Sequence, residues 1–330
     1  MKQEEAFEVF DEKLKLNPRE RAAAIRLHNE ITVVLLAAGV IVRAFLQGSF
    51  ACKTMLGPLR DVDKVVILAG RLRDLPDLRI LPVLAMVEIE KILAAAYPEA
   101  TFERGRHALK VDLGPGRCSF DIVPGFETDT DDDDVLIANT ETNTWDRSNT
   151  RTLIRVIAER NQACDGRFVH QVRMAKQYVV YRLEGLIPGL HVETFAYAAV
   201  TEPLEHAEAS CRILEAGARL LAGAYTDPTG VDQISRKLKP GVAPQAQAAF
   251  AAAARRAREA QRLAAAGDHP GALAIWYQLF GDPFPTPPAQ PVADALQRAF
   301  AGGSVTSTGT VSATSRGRQP SPPTRSWRPA

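Results

Sequence analysis

Residues 48–68 read GSFACKTMLGPLRDVDKVVIL, and the rest of the chain can be placed around them. The apolar stretch from Val40 to Gln47 predicts a short strand that ends at Gly48-Ser49, a turn whose backbone N–H groups can face outward. Beyond it, Asp61 and Asp63 stand two apart in an extended segment, so their carboxylates share one face while Val62 and Lys64 turn to the other. Val65 to Leu68 is too continuously apolar for a strand with one wet face. It predicts a central strand.

A third acidic segment, CSFDIVPGF at 118–126, carries Asp121, 58 residues beyond Asp63. An unpaired carboxylate buried in such an apolar strand is costly, and a cation removes the cost. Two carboxylates on one strand and a third from a neighbour are the usual protein contribution to Mg²⁺ sites for phosphoryl chemistry. Two such ions about 3.5–4 Å apart activate an attacking hydroxyl and steady developing charge. Gly48 and Ser49 would offer N–H groups and a hydroxyl to a triphosphate, glycine letting the backbone come close. Each piece alone is common. The ordered set of strand, Gly-Ser, Asp-x-Asp, apolar strand and strand Asp is far more specific.

Working outward, Asn17-Pro18 caps and starts a helix over Arg19 to Ala38, and Leu81 to Ala96 has helical periodicity. Arg106 to Leu113 and Arg117 to Pro124 predict two strands joined by Gly114-Pro115-Gly116. The acidic run at 127–134, ETDTDDDD, predicts a solvated loop, followed by an irregular stretch to Thr150. After Thr150 the pattern is helical: Arg151 to Gln162, Phe168 to Leu183, Val192 to Ala199, Glu205 to Gly223 and Gln245 to Ala266. The expected architecture is α+β: a mixed sheet with flanking helices in the first half, a helical second half, and a cleft between them. Residues 302–330, rich in Ser, Thr, Gly, Pro and Arg, predict disorder.

Composition narrows the function classes. With 40 Lys and Arg against 39 Asp and Glu, no bulk charge favours nucleic acid or a membrane. Cys52, Cys118, Cys164 and Cys211 are scattered without CxxC spacing, which predicts unpaired thiols rather than zinc or disulfides. The acidic start, MKQEEAFEVF, does not read as a signal peptide, and the apolar run from Ile31 to Val42 is too short to span a bilayer, so the expected location is cytoplasmic. The six histidines form no HExxH or triad pattern and predict surface or capping roles. Trp276, Tyr277, Leu279 and Phe280 predict helical core, and Tyr225 is a candidate for stacking on a nucleobase.

GSF, DVDKVVIL and FDIVPGF together resemble the DNA polymerase β-like nucleotidyltransferases. Within that superfamily, over about Arg19 to Pro285, the chain is similar to the bacterial cyclic GMP-AMP synthase and DncV-like (CD-NTase, SMODS-type) enzymes. RFVHQVRMAKQYVVYRL resembles the family helix with a phosphate-contacting lysine, which falls on Lys176; LIPGLHVETFAYAAV, the YTDPTG turn and WYQLFGDPFP resemble later family elements. Arg173, one helical turn from Lys176, is placed to project with it toward a triphosphate. Gly189 stands where many relatives have Ser, Thr150 where Pro is frequent, and Cys52 and Lys53 replace the small or basic residues often seen in the Gly-Ser loop.

The resemblance implies a bilobed fold: a catalytic core over 1–150, whose N-terminal helix packs on both lobes, a helical nucleotide-binding lobe over 151–301 and a tail over 302–330. It implies an enzyme that joins nucleoside triphosphates into a cyclic di- or trinucleotide signal in antiphage defence, releasing pyrophosphate. Asp61, Asp63 and Asp121 would hold two Mg²⁺ (or Mn²⁺) ions, with Asp121 also assisting deprotonation, and Gly48, Ser49 and Lys176 would bind the triphosphate. It also implies operon-encoded regulatory or conjugating protein partners, the latter acting on the terminal Ala330. Transfer to an RNA, protein or small-molecule acceptor, or a catalytically idle nucleotide-sensing module, are the alternatives.

Overall fold

The computed structural model describes residues 1–69, 80–128 and 134–287, and two short strands at 304–305 and 311–312. Asp134 is described, whereas the rest of the expected acidic loop beyond residue 128, and the expected disordered tail apart from those strands, lie outside the described residues. The chain divides into two units, Met1–Thr286 and Pro287–Ala330.

In the first unit, α1 (Gln3–Leu14) and α2 (Pro18–Ala37) precede β1 (Ile41–Leu46), a one-turn helix α3 (Gly48–Ala51) and β2 (Asp61–Leu68). The Asn17 side chain accepts a hydrogen bond from the Arg19 N–H, as its capping position requires. Then come α4 (Pro82–Ala96), β3 (Thr101–Arg104), β4 (Leu109–Asp112), β5 (Ser119–Glu127), β6 (Val135–Asn139) and β7 (Thr144–Ser148). The strands form one mixed sheet in the order β1-β2-β5-β4-β3, and β6 and β7 continue from the far half of β5. β2 pairs with β5 in parallel, between antiparallel neighbours. The DVDKVVIL strand is therefore flanked on both sides, and it is buried from Lys64 to Leu68 while Asp61 at its start stays exposed.

One face of the sheet carries Val62, Val66, Phe120 and Ile122 and is covered by Leu27, Ile31 and Leu35 of α2 and Met86, Ile89 and Leu93 of α4. Asp61, Asp63, Val65 and Ile67 alternate to the opposite face, following the two-residue period of a strand. Alternation thus separates the apolar seam from the carboxylates.

The stretch expected to be irregular is instead the β6–β7 hairpin, turning through Asn143 with φ near 54°. Asn tolerates that left-handed conformation better than most residues, so a polar sequence still makes a tight hairpin.

The second half is helical: α5 (Thr150–Ala163), α6 (Phe168–Leu183), α7 (Gly189–Ala199), α8 (His206–Leu220), α9 (Val242–Ala265) and α10 (His269–Phe280). α1 packs with this half, against α6, α8 and α10. Phe7 and Phe10 of α1 enter an aromatic cluster with Trp276, Phe280 and Phe284, where Phe7 and Trp276 meet edge to face at 5.0 Å. The architecture is the α+β arrangement expected from the sequence. In the second unit, β8 (Ser304–Val305) and β9 (Val311–Ser312) pair antiparallel.

Candidate active site

The site begins where β1 hands over to α3. The Gln47 N–H donates to the Asp63 carbonyl at 2.9 Å, pinning the turn to β2. Gly48 follows with φ of 63°, and a Cβ there would lie 2.1 Å from Asp63 Oδ2. Both the backbone angle and this contact demand glycine. The Ser49 carbonyl accepts from the N–H groups of Thr54 and Met55, at 2.9 and 3.1 Å, closing the loop that follows.

The parallel register sets Asp63 opposite Asp121 and Asp61 opposite Ser119. Burial, reinforced by the charges of Asp121 and Asp61, pushes the Asp63 carboxyl up to about 6. Burial and the Asp61 charge likewise raise Asp121, while Lys110 on the facing strand opposes the rise. The sheet gathers carboxylate charge that Lys176 and Lys110 offset only in part.

Among the described residues, no three His, Cys, Asp or Glu side chains are already gathered as a metal-holding group. The donor chemistry nonetheless fits a hard divalent cation: carboxylate oxygens only, two of the carboxyls raised first by burial and then by neighbouring carboxylate charge, both of which such an ion relieves. A cavity of about 280 Å³ opens on Ser49, Asp61 and Asp63, with Arg60, Gln177 and Val180 among its walls. A larger one, about 750 Å³, runs from Gln47 past Asn149 and is rimmed by Arg106, Arg147, Arg236 and Lys237.

Lys176 is buried on α6 and does not reach into open space. Its Nζ donates to Glu193 Oε1 of α7 at 2.7 Å and to Thr54 Oγ1 at 3.0 Å. Arg173 does not project with it: its guanidinium donates to the Lys53 carbonyl at 2.9 Å and to Asp11 of α1 at 3.1 Å. One turn of helix separates the two residues, but their long side chains diverge to different partners.

Some secondary expectations change. Tyr225 is buried in the helical core, its hydroxyl 2.7 Å from His191 Nδ1 and its ring edge-on to Phe195, so it offers no face to a base. His191 and His206 are buried rather than superficial, because their helical positions face Tyr225 and Phe7 respectively. Trp276 and Phe280 are core, as expected. Sequence reading missed Glu193 and Thr54. The signal for Glu193 was a lone carboxylate in the apolar run LHVETFAYAA.

A mixed sheet that presents a Gly-Ser turn beside Asp-x-Asp and a third strand Asp is the arrangement that the resemblance to the DNA polymerase β-like nucleotidyltransferases implies. Residues 1–161 match the family model described as the Second Messenger Oligonucleotide or Dinucleotide Synthetase domain, and the resemblance to that family holds. The same fold occurs in CdnC of E. coli MS115-1, solved with ATP, at 18% identity and a TM-score of 0.64 over 86% of this chain and 98% of that one. It occurs in the Bradyrhizobium diazoefficiens CD-NTase CdnG, solved with GTP, at 14% identity and a TM-score of 0.67 over 84% and 95%. Vibrio cholerae DncV, a cyclic AMP-GMP synthase, matches at 13% identity and a TM-score of 0.57 over 74% and 70%. No match is found among the curated proteins. No helix among the described residues is long and apolar enough to cross a membrane.

Proposed function

We propose that the protein joins nucleoside triphosphates into a cyclic di- or trinucleotide, releasing pyrophosphate at each step. The observation that carries this reading is the register that sets Asp63 opposite Asp121, with Gly48 packed on Asp63, inside a segment matching a second-messenger synthetase domain. Residues 1–150 form the catalytic core in this reading, and residues 151–301 the lobe that holds nucleotides.

A ribose hydroxyl of one nucleotide attacks the α-phosphorus of another. The bond from that phosphorus to the bridging oxygen breaks, and pyrophosphate leaves with the electron pair. Asp61, Asp63 and Asp121 would hold two Mg²⁺ or Mn²⁺ ions, whose chemistry is to neutralise the triphosphate and acidify the attacking hydroxyl. The N–H groups of Gly48 and Ser49 and the Ser49 hydroxyl grip the triphosphate, and Lys176 adds a positive charge. Asp121 helps to accept the proton from the attacking hydroxyl. The larger cavity beyond Gln47 has room for a second nucleoside.

The reaction is tested with purified protein, Mg²⁺ and labelled ATP, GTP, CTP and UTP, followed by phosphatase. A phosphatase-resistant product that disappears in Asp63→Asn is expected. Label found instead on added RNA, protein or small-molecule acceptor would overturn the cyclising reading, and nucleotide bound without turnover would point to an idle module. CdnC has been solved in a complex with HORMA-deltaN. A regulatory protein partner and a role in antiphage signalling are the corresponding proposals here, tested by co-purification with the products of neighbouring genes and by phage challenge.

A further inference from the structure

Lys176 is the triphosphate's cation in the reading above, yet its charge is already committed. Its Nζ donates to Glu193 at 2.7 Å and to Thr54 at 3.0 Å, and the Thr54 hydroxyl donates to the same Glu193 oxygen at 2.5 Å. All three side chains are buried, Thr54 entirely and the ion pair almost so. Thr54 belongs to the loop whose N–H groups close on the Ser49 carbonyl, so the network ties the Gly-Ser turn to α6 and α7.

Gly189, at the start of α7, gives Lys176 the space for this position. A Cβ at 189 would stand 3.2 Å from the Lys176 Cε and 3.3 Å from its Nζ. The charges of Lys176 and Glu193 both act on Asp63, in opposite senses, so the pair lies within electrostatic reach of the carboxylates.

We propose that Glu193 is a positioning residue that, with Thr54, holds Lys176 in a resting position and weakens the site's grip on triphosphate until nucleotide competes for that lysine. The inference rests on the nucleotidyltransferase reading. A buried ion pair presents almost no net charge to the cavity, whereas a lysine without its carboxylate presents a full one. Holding the charge in reserve keeps the site from gripping pyrophosphate tightly once it has formed.

The test is direct binding of a non-hydrolysable triphosphate analogue with Mg²⁺ to the full chain. In Glu193→Gln, which keeps the shape and loses the charge, the dissociation constant should fall about tenfold, and the change in KM should exceed that in kcat at least fivefold. In a Lys176→Met background the same substitution should change binding less than threefold, because its effect passes through the lysine. Thr54→Val, which removes only the bridging hydroxyl, should tighten binding about threefold and serves if Glu193→Gln does not fold. Unchanged or weaker binding in either folded variant, with the wild type binding normally, overturns the proposal and leaves the enzyme reading intact. A wild type that binds non-hydrolysable analogues of none of ATP, GTP, CTP and UTP sinks both.

Discussion

At the scale of single residues, the site is built against its own stability. The Asp63 carboxyl rises from 3.8 to about 6, so between those values the folded protein holds more protons than the unfolded chain. Stability contributed by the protonated form is therefore lost as pH rises through that window. In the absence of divalent metal, Asp63→Asn should stabilise the fold by about 2 kcal/mol at pH 8 and by almost nothing at pH 4, measured by urea unfolding. Adding Mg²⁺ to the wild type should raise Tm more at pH 8 than at pH 5, and EDTA should reverse the gain. Lys176 gives the opposite case, since Lys176→Met leaves Glu193 buried without its cation. A loss of about 3–5 kcal/mol is expected in the same unfolding experiment.

At the scale of elements, the contact between β2 and α2 holds a second buried charge. Lys64 points away from the carboxylates, fully buried under α2, and donates to the His28 carbonyl at 2.7 Å and to Thr32 Oγ1 at 2.5 Å. Burial pulls its ammonium down to about 7, and burial with the Lys64 charge pulls His28 down to about 4. Between pH 7 and 10.5 the unfolded chain holds the extra proton, so this lysine makes the fold more stable as pH rises through that range. Lys64→Met should flatten the rise and add about 2 kcal/mol at pH 7, read from denaturant midpoints at several pH values.

The same strand shows how far sequence reaches. Alternation along DVDKVVIL was enough to place Asp61 and Asp63 on one face, and the apolar run was enough to place β2 inside the sheet. The β6–β7 hairpin was not legible, because a short strand followed by polar turn residues carries little periodic signal, and its pairing comes from β5. Nor was the fate of Lys176. Helical spacing says which residues share a face, whereas the choice between Glu193 and open space depends on how α7 docks against α6.

At the scale of the molecule, α1 belongs to the helical half by packing although it comes first in sequence. Phe7 and Phe10 are fully buried against Trp276, Phe280 and Phe284, and Asp11 joins the half through His170 and Arg173. Burial works against the Asp11 charge, but the hydrogen bond and charge of His170 and the charge of Arg173 hold its carboxyl well below the usual carboxylate range. Phe10→Ala should cost about 3–5 kcal/mol, and α8 and α10 should lose amide-exchange protection in that variant before the sheet does. The Trp276 indole N–H donates to Gln3, 273 residues away in sequence. On the ribosome, the aromatic face of α1 therefore waits for Trp276, Phe280 and Phe284 to emerge before it can be covered by them, which at about 5–20 residues per second is tens of seconds of exposure to chaperones and proteases.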